Sequence, residues 1–169
     1  MESRAKFLGH AMHPILIVFP LGLLSTSVIF DVIHIITGNP TWGVVSFWMI
    51  AAGVVGGLVA AVFGLIDFLA IPNGTRAKRV GRFHGLSNLI VVILFASSWA
   101  LRYATPETPP VSALALSFLG FIIALVGGWL GGELVERLGV AVDANAHLNA
   151  PNSLTEHHVA ARVSQPRAT

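Results

Sequence analysis

Four side chains that could carry a proton or bind a metal lie at the edges of long apolar stretches: His13, Asp67, His84 and Glu133. The chain is 54% hydrophobic and only 11% charged, so ionisable groups near those stretches need a reason. At the centre of a bilayer such a group costs about 2.5 kcal/mol or more, so four at one depth read as a site. Two neutral imidazoles on facing helices could hold a haem b iron from both sides, with His13 and His84 as the pair. Two imidazoles with two carboxylates suit Zn, Fe or Mn, and the same set could relay protons or serve ion transport. The plainest reading is that all four are interfacial residues that cap helices and pair with Arg76, Lys78, Arg79 or Arg82. The residue types leave these readings open, because imidazole suits haem, metal and proton near neutral pH.

Each of the four has an expected place. His13 precedes Pro14, which disfavours the α region at His13 and suits the first helical position itself, so His13 should cap a helix. Asp67 extends a stripe of small residues, Gly56, Ala60 and Gly64, and should face a neighbouring helix. His84 shares a helix face with Asn88 four residues on. Glu133 lies near the end of the last apolar stretch. His10 is expected in solvent beside this group. A second set is expected at the other end: Asp31 and His34, three residues apart, with Arg102. The expectation there is an Asp31–Arg102 ion pair that pins two helices, the alternative being an ion exit or second ligand site using His34.

These residues need elements to hold them. The mean hydropathy of +0.77 fits a polytopic membrane protein rather than a soluble domain. Four stretches exceed the roughly 20 residues that cross a hydrocarbon core: about 14–36, 44–71, 80–103 and 111–134. Turn-formers separate them: Thr37-Gly38-Asn39-Pro40, Pro72-Asn73-Gly74, and Thr105-Pro106-Glu107-Thr108-Pro109-Pro110. The fold class expected is all-α, an integral membrane four-helix up-down bundle over 14–135, after a short N-terminal segment (1–13). Residues 136–169 read as a largely disordered tail, where the adjacent His157 and His158 make a poor metal site. Basic residues (Arg4, Lys6, Arg76, Lys78, Arg79, Arg82, Arg137) gather at one end, which predicts both termini in the cytoplasm and an inner-membrane location. Trp42, Trp48, Trp99 and Tyr103 fall towards the opposite end, as an aromatic belt would. In the second stretch Ala52, Gly56, Ala60 and Gly64 line one face, beside Gly53, Gly57 and Ala61. They are expected to pack the bundle tightly or to form a homodimer face.

Some classes are excluded. With no cysteine there is no disulfide, thiolate-held cluster or covalent haem. The basic residues flank membrane spans and form no nucleic-acid patch. No phosphate-binding glycine loop, nucleophile elbow or zinc-protease motif occurs, so an enzyme acting on soluble substrates is not expected. A redox or membrane-protein partner is.

Several segments resemble one bacterial family. They are His13-Pro14-Ile15-Leu16-Ile17-Val18-Phe19-Pro20-Leu21-Gly22-Leu23, Gly64-Leu65-Ile66-Asp67, Arg82-Phe83-His84-Gly85-Leu86-Ser87-Asn88, and Gly127-Gly128-Trp129-Leu130-Gly131-Gly132-Glu133-Leu134. Together they resemble the predicted membrane proteins called domain of unknown function 2231, over about residues 8–140. The resemblance implies four membrane helices and no settled activity. It also implies a further histidine where this chain has Val18, which would remove one ligand from a multi-histidine site. Relatives that look fused to cytochrome-like modules imply a redox role, by association alone.

Overall fold

The computed structural model describes residues 1–154. A two-residue hairpin opens the chain: β1 (Lys6–Phe7) pairs antiparallel with β2 (His10–Ala11). Leu8 and Gly9 make its turn with φ of 50° and 84°, the left-handed pair that a tight hairpin uses. Helices follow as α1 (Met12–Leu16), α2 (Val18–Thr37), α3 (Pro40–Ala70), α4 (Arg76–Arg102) and α5 (Val111–Gly132). The last runs into one π-helical turn, Glu133–Arg137. Helices α1 and α2 form one span of 26 residues, and the other three span 31, 27 and 27. At about 1.5 Å per residue each exceeds a ~30 Å hydrocarbon core. The chain is thus an all-α bundle of four membrane-spanning helices.

Local chemistry sets the boundaries. Pro20 has no N–H to give the Leu16 carbonyl, and the helix is interrupted between α1 and α2 at Ile17. Gly38 ends α2 with φ of 64°. Asn39 then caps α3, accepting from the Thr41 N–H, with Pro40 at the first helical position. That cap starts the second span at Pro40 rather than near Val44. Thr75 caps α4 by accepting from the Lys78 N–H, so the basic run Arg76–Arg82 is helical and the third span starts at Arg76.

The closest packing lies within two hairpins, α1/α2 with α3 and α4 with α5. Leu24, Val28, Ile50, Val91 and Phe95 form the central buried layer. Ile71, Leu134 and Val140 form a smaller one at the near end, meaning the end that holds the N-terminal segment. Outward faces such as Ile29, Val62, Ile93 and Ile122 stay exposed, as lipid-facing surface does.

The glycines of α3 point into the bundle. A Cβ on Gly53 would stand 2.6 Å from Leu24, one on Gly56 3.3 Å from Phe19, and one on Gly57 3.3 Å from Val92. The expected small-residue ridge therefore packs helices of the same chain, and its glycines are not free for a second copy. Residues 138–154 also depart from the expected disordered tail. The Ala141 N–H donates to the Met1 carbonyl (2.9 Å), the Ala144 N–H to Glu2 (3.3 Å), and the Ser153 hydroxyl to the Leu8 carbonyl (3.1 Å). The rest of that tail, with His157 and His158, lies outside the described residues.

Candidate functional site: a histidine pair inside the bundle

His13 stands on α1 and His84 on α4, and their rings meet with centroids 6.2 Å apart and planes at 89°. Each is held by the helix it leans on. His13 Nδ1 lies 2.9 Å from the Ala60 carbonyl on α3, and His84 Nδ1 lies 2.9 Å from the Gly127 carbonyl on α5. A carbonyl only accepts, so in both rings Nδ1 carries the hydrogen. In the neutral imidazole that makes Nε2 the acceptor nitrogen.

Both rings reach those carbonyls because a glycine lies four residues further along. A Cβ on Gly64 would fall 2.8 Å from His13 Nδ1, and one on Gly131 would fall 3.1 Å from His84 Cε1. The Asn88 amide nitrogen lies 3.3 Å from His84 Nδ1 and 3.2 Å from Nε2. An atom nearly equidistant from both ring nitrogens cannot lie in the ring plane without striking Cε1. Asn88 therefore lies over a ring face, with its amide nitrogen 3.2 Å from Nε2. Its own hydrogen bond goes to the His84 carbonyl at 2.9 Å.

The two expected carboxylates are elsewhere. Asp67 is buried, but it accepts the Ser3 hydroxyl at both oxygens (2.8 Å each) and the Arg4 N–H (2.8 Å). It clasps the N-terminal segment to α3. Glu133 pairs with Arg76 at 2.5 Å on a half-exposed surface. Among the described residues no group of three or more metal-binding side chains converges. The four-residue metal site of His13, Asp67, His84 and Glu133 is thus corrected to a pair of histidines. The physical reason is that backbone N–H groups and Arg76 satisfy the carboxylates first. Among the described residues the His10 side chain meets Ser153, at 3.3 Å.

Beyond the membrane spans, Glu2 and Lys6 pair at 2.5 Å. That hydrogen bond holds the Glu2 carboxyl below its ordinary range and the Lys6 ammonium above its own.

At the far end the expected Asp31–Arg102 pair forms, fully buried. Arg102 donates to both Asp31 oxygens at 2.6 and 2.7 Å, and to Ser46, Ser98 and Ser117. Sequence reasoning missed those serines, although their spacing offered a signal: Ser98 is one turn before Arg102, on the same face. His34 takes no part. Its Nδ1–H donates to the Asn39 carbonyl and closes the loop after α2. The expected second ligand site at His34 is therefore a loop contact.

No curated protein and no solved structure matches the chain. A family model described as "Predicted membrane protein (DUF2231)" matches residues 9–144, which covers all four spans and both histidines. The chain belongs to that family of predicted membrane proteins.

Proposed function

We propose that the protein is an electron-transfer membrane protein that holds a non-covalent haem b between His13 and His84. The observation that carries this reading is the shared ring geometry. Each Nδ1–H is fixed on a backbone carbonyl, the usual way a protein orients a ligating imidazole and raises its basicity. His13 and His84 would hold the haem iron, and their ring centroids stand 6.2 Å apart. Two protein ligands suffice for a porphyrin iron but leave Zn, Fe or Mn short of a full set. When bound, haem supplies a one-electron couple. The chain's own residues orient the two imidazoles, seat them against Gly64 and Gly131, and offer exposed Arg4, Arg79 and Arg82 to the propionates.

The near end faces the cytoplasm in this reading. Arg4, Lys6, Arg76, Lys78, Arg79, Arg82 and Arg137 all belong to it, while Arg102, the basic residue of the far end, is buried in its ion pair. Reporter fusions at Thr41 and Glu107 should report the outside, and one at Gly74 the inside.

The test is the visible spectrum of protein purified from haem-replete cells. A Soret band that shifts on dithionite reduction, and is lost in both His13→Ala and His84→Ala, is the expected result. A colourless protein that also fails to take up added haemin would overturn the haem reading. A proton-exchanging imidazole pair would then be the better account of the two facing histidines.

A further inference from the structure

The two hairpins place corresponding residues at corresponding positions. Eighteen residues separate His13 from Asp31, and 18 separate His84 from Arg102. Between them, Leu24 corresponds to Phe95, both in the central layer, and Ser27 to Ser98, both with no exposure. The second helices agree as well. Gly53 and Gly120 correspond, and a Cβ on each would strike the corresponding residue of its own hairpin, Leu24 at 2.6 Å and Phe95 at 2.9 Å. Ala60 and Gly127 each lend a carbonyl to a histidine, and Gly64 and Gly131 each make room for its ring. Ile50 and Ser117, then Ser46 and Ala113, are corresponding positions that are all fully buried.

Two cross-hairpin contacts join a residue to its own counterpart: His13 to His84, and Asp31 to Arg102. A residue meets its own image only on a two-fold axis. These two contacts lie at opposite ends of the spans, so the axis runs along the bundle, as in parallel repeats related about the membrane normal.

We infer that the chain is one helical hairpin repeated about a pseudo-two-fold axis, and that His13 and His84 are a single ligand position presented twice on that axis. This deepens the haem reading and rests on it for the identity of the ligand. His13 and His84 would present two equivalent imidazoles to a haem on the axis. One difference between the halves at the site is a coupled exchange. Asn88 corresponds to Ile17, and Gly127 to Ala60, where a Cβ on Gly127 would lie 2.9 Å from Asn88 Oδ1. Asn88 is thus a positioning residue for His84 alone.

Two experiments on the full chain separate the repeat from the ligand. In the first, Asp31→Arg and Arg102→Asp are made singly and together. Each single variant should lose folded protein, and the double variant should regain part of it, since Ile50 and Ala113 stand where Ser117 and Ser46 serve Arg102. An arginine at 31 has Ser27 one turn before it, as Arg102 has Ser98. A double variant as defective as the singles overturns the repeat. In the second, haemin is titrated into detergent-purified protein while the low-spin absorption is read. One haemin per chain is expected, with His13→Ala and His84→Ala each weakening binding at least about tenfold and to a similar degree. Loss in one variant with none in the other overturns the on-axis site. No haemin uptake by the wild type, with the charge reversal rescued, overturns the haem reading and leaves the repeat standing.

Discussion

Gly64→Ala tests the seat beneath His13. The added methyl would stand 2.8 Å from His13 Nδ1 and 2.9 Å from Cε1, closer than carbon and nitrogen tolerate. The obstacle is a ring held on both sides, by the Ala60 carbonyl and by His84, so it cannot swing aside freely. Moving it breaks the 2.9 Å bond to Ala60. Leaving a buried polar group unsatisfied costs about 1–3 kcal/mol, against which alanine gains up to about 1 kcal/mol of helix propensity. The expected net is about 0–2 kcal/mol of destabilisation, together with loss of the fixed Nδ1–H tautomer. Gly131→Ala should be milder, since its Cβ would meet His84 Cε1 at 3.1 Å. Gly85→Ala meets nothing within 4 Å and should be neutral or slightly stabilising. The assay is the unfolding midpoint in detergent titrated with SDS, with imidazole ¹⁵N shifts for the tautomer. If Gly64→Ala behaves like Gly85→Ala in both, the ring is not seated as described.

Arg102→Lys should cost much of the roughly 3–5 kcal/mol expected for breaking a buried ion pair, because an ammonium cannot span both Asp31 oxygens and three serines; folded yield and unfolding midpoint check this. Asp67→Asn should release the N-terminal segment, read as faster trypsin cleavage after Arg4 and Lys6 with the bundle intact. Glu133→Gln should change stability by less than about 1 kcal/mol, as its partner Arg76 is half-exposed. The contact between the N-terminal segment and residue 144 should depend on pH only at the extremes. A lowered Glu2 value means the contribution is lost as pH falls through it, below the usual carboxylate range, and a raised Lys6 value means loss as pH rises through that one. Hydrogen exchange at the Ala144 N–H, which donates to Glu2, would follow both limbs.

The four spans were legible because hydropathy and turn residues act locally, and the Asp31–Arg102 pair because few partners exist at that end. The carboxylates were misplaced for a reason that sequence does not carry. Asp67 meets Ser3 and the Arg4 N–H across more than sixty positions of chain, through a fold-back that residue types do not announce. Glu133 is expected in the same group as the other three, but a π-helical turn begins at that residue and it meets Arg76. The two histidines meet at one end of the bundle, and their seats on Gly64 and Gly131 depend on backbone carbonyls, which every residue has. The repeat escaped notice because its matches are of position and burial more than of residue type: histidine keeps its identity, but aspartate becomes arginine.

The central layer of Leu24, Val28, Ile50, Val91 and Phe95 has an electrical consequence. It puts a layer of buried apolar side chains between the histidine pair and the buried ion pair. A charge that reaches His13 and His84 from the near end has crossed only the first turns of the helices. Full passage across the bilayer would engage about 2.3 kcal/mol per 100 mV of membrane potential, and this short entry engages only a small part of that. Charge uptake and release at the histidines should therefore occur on one side of the membrane, generate almost no transmembrane current, and respond little when the potential is reversed.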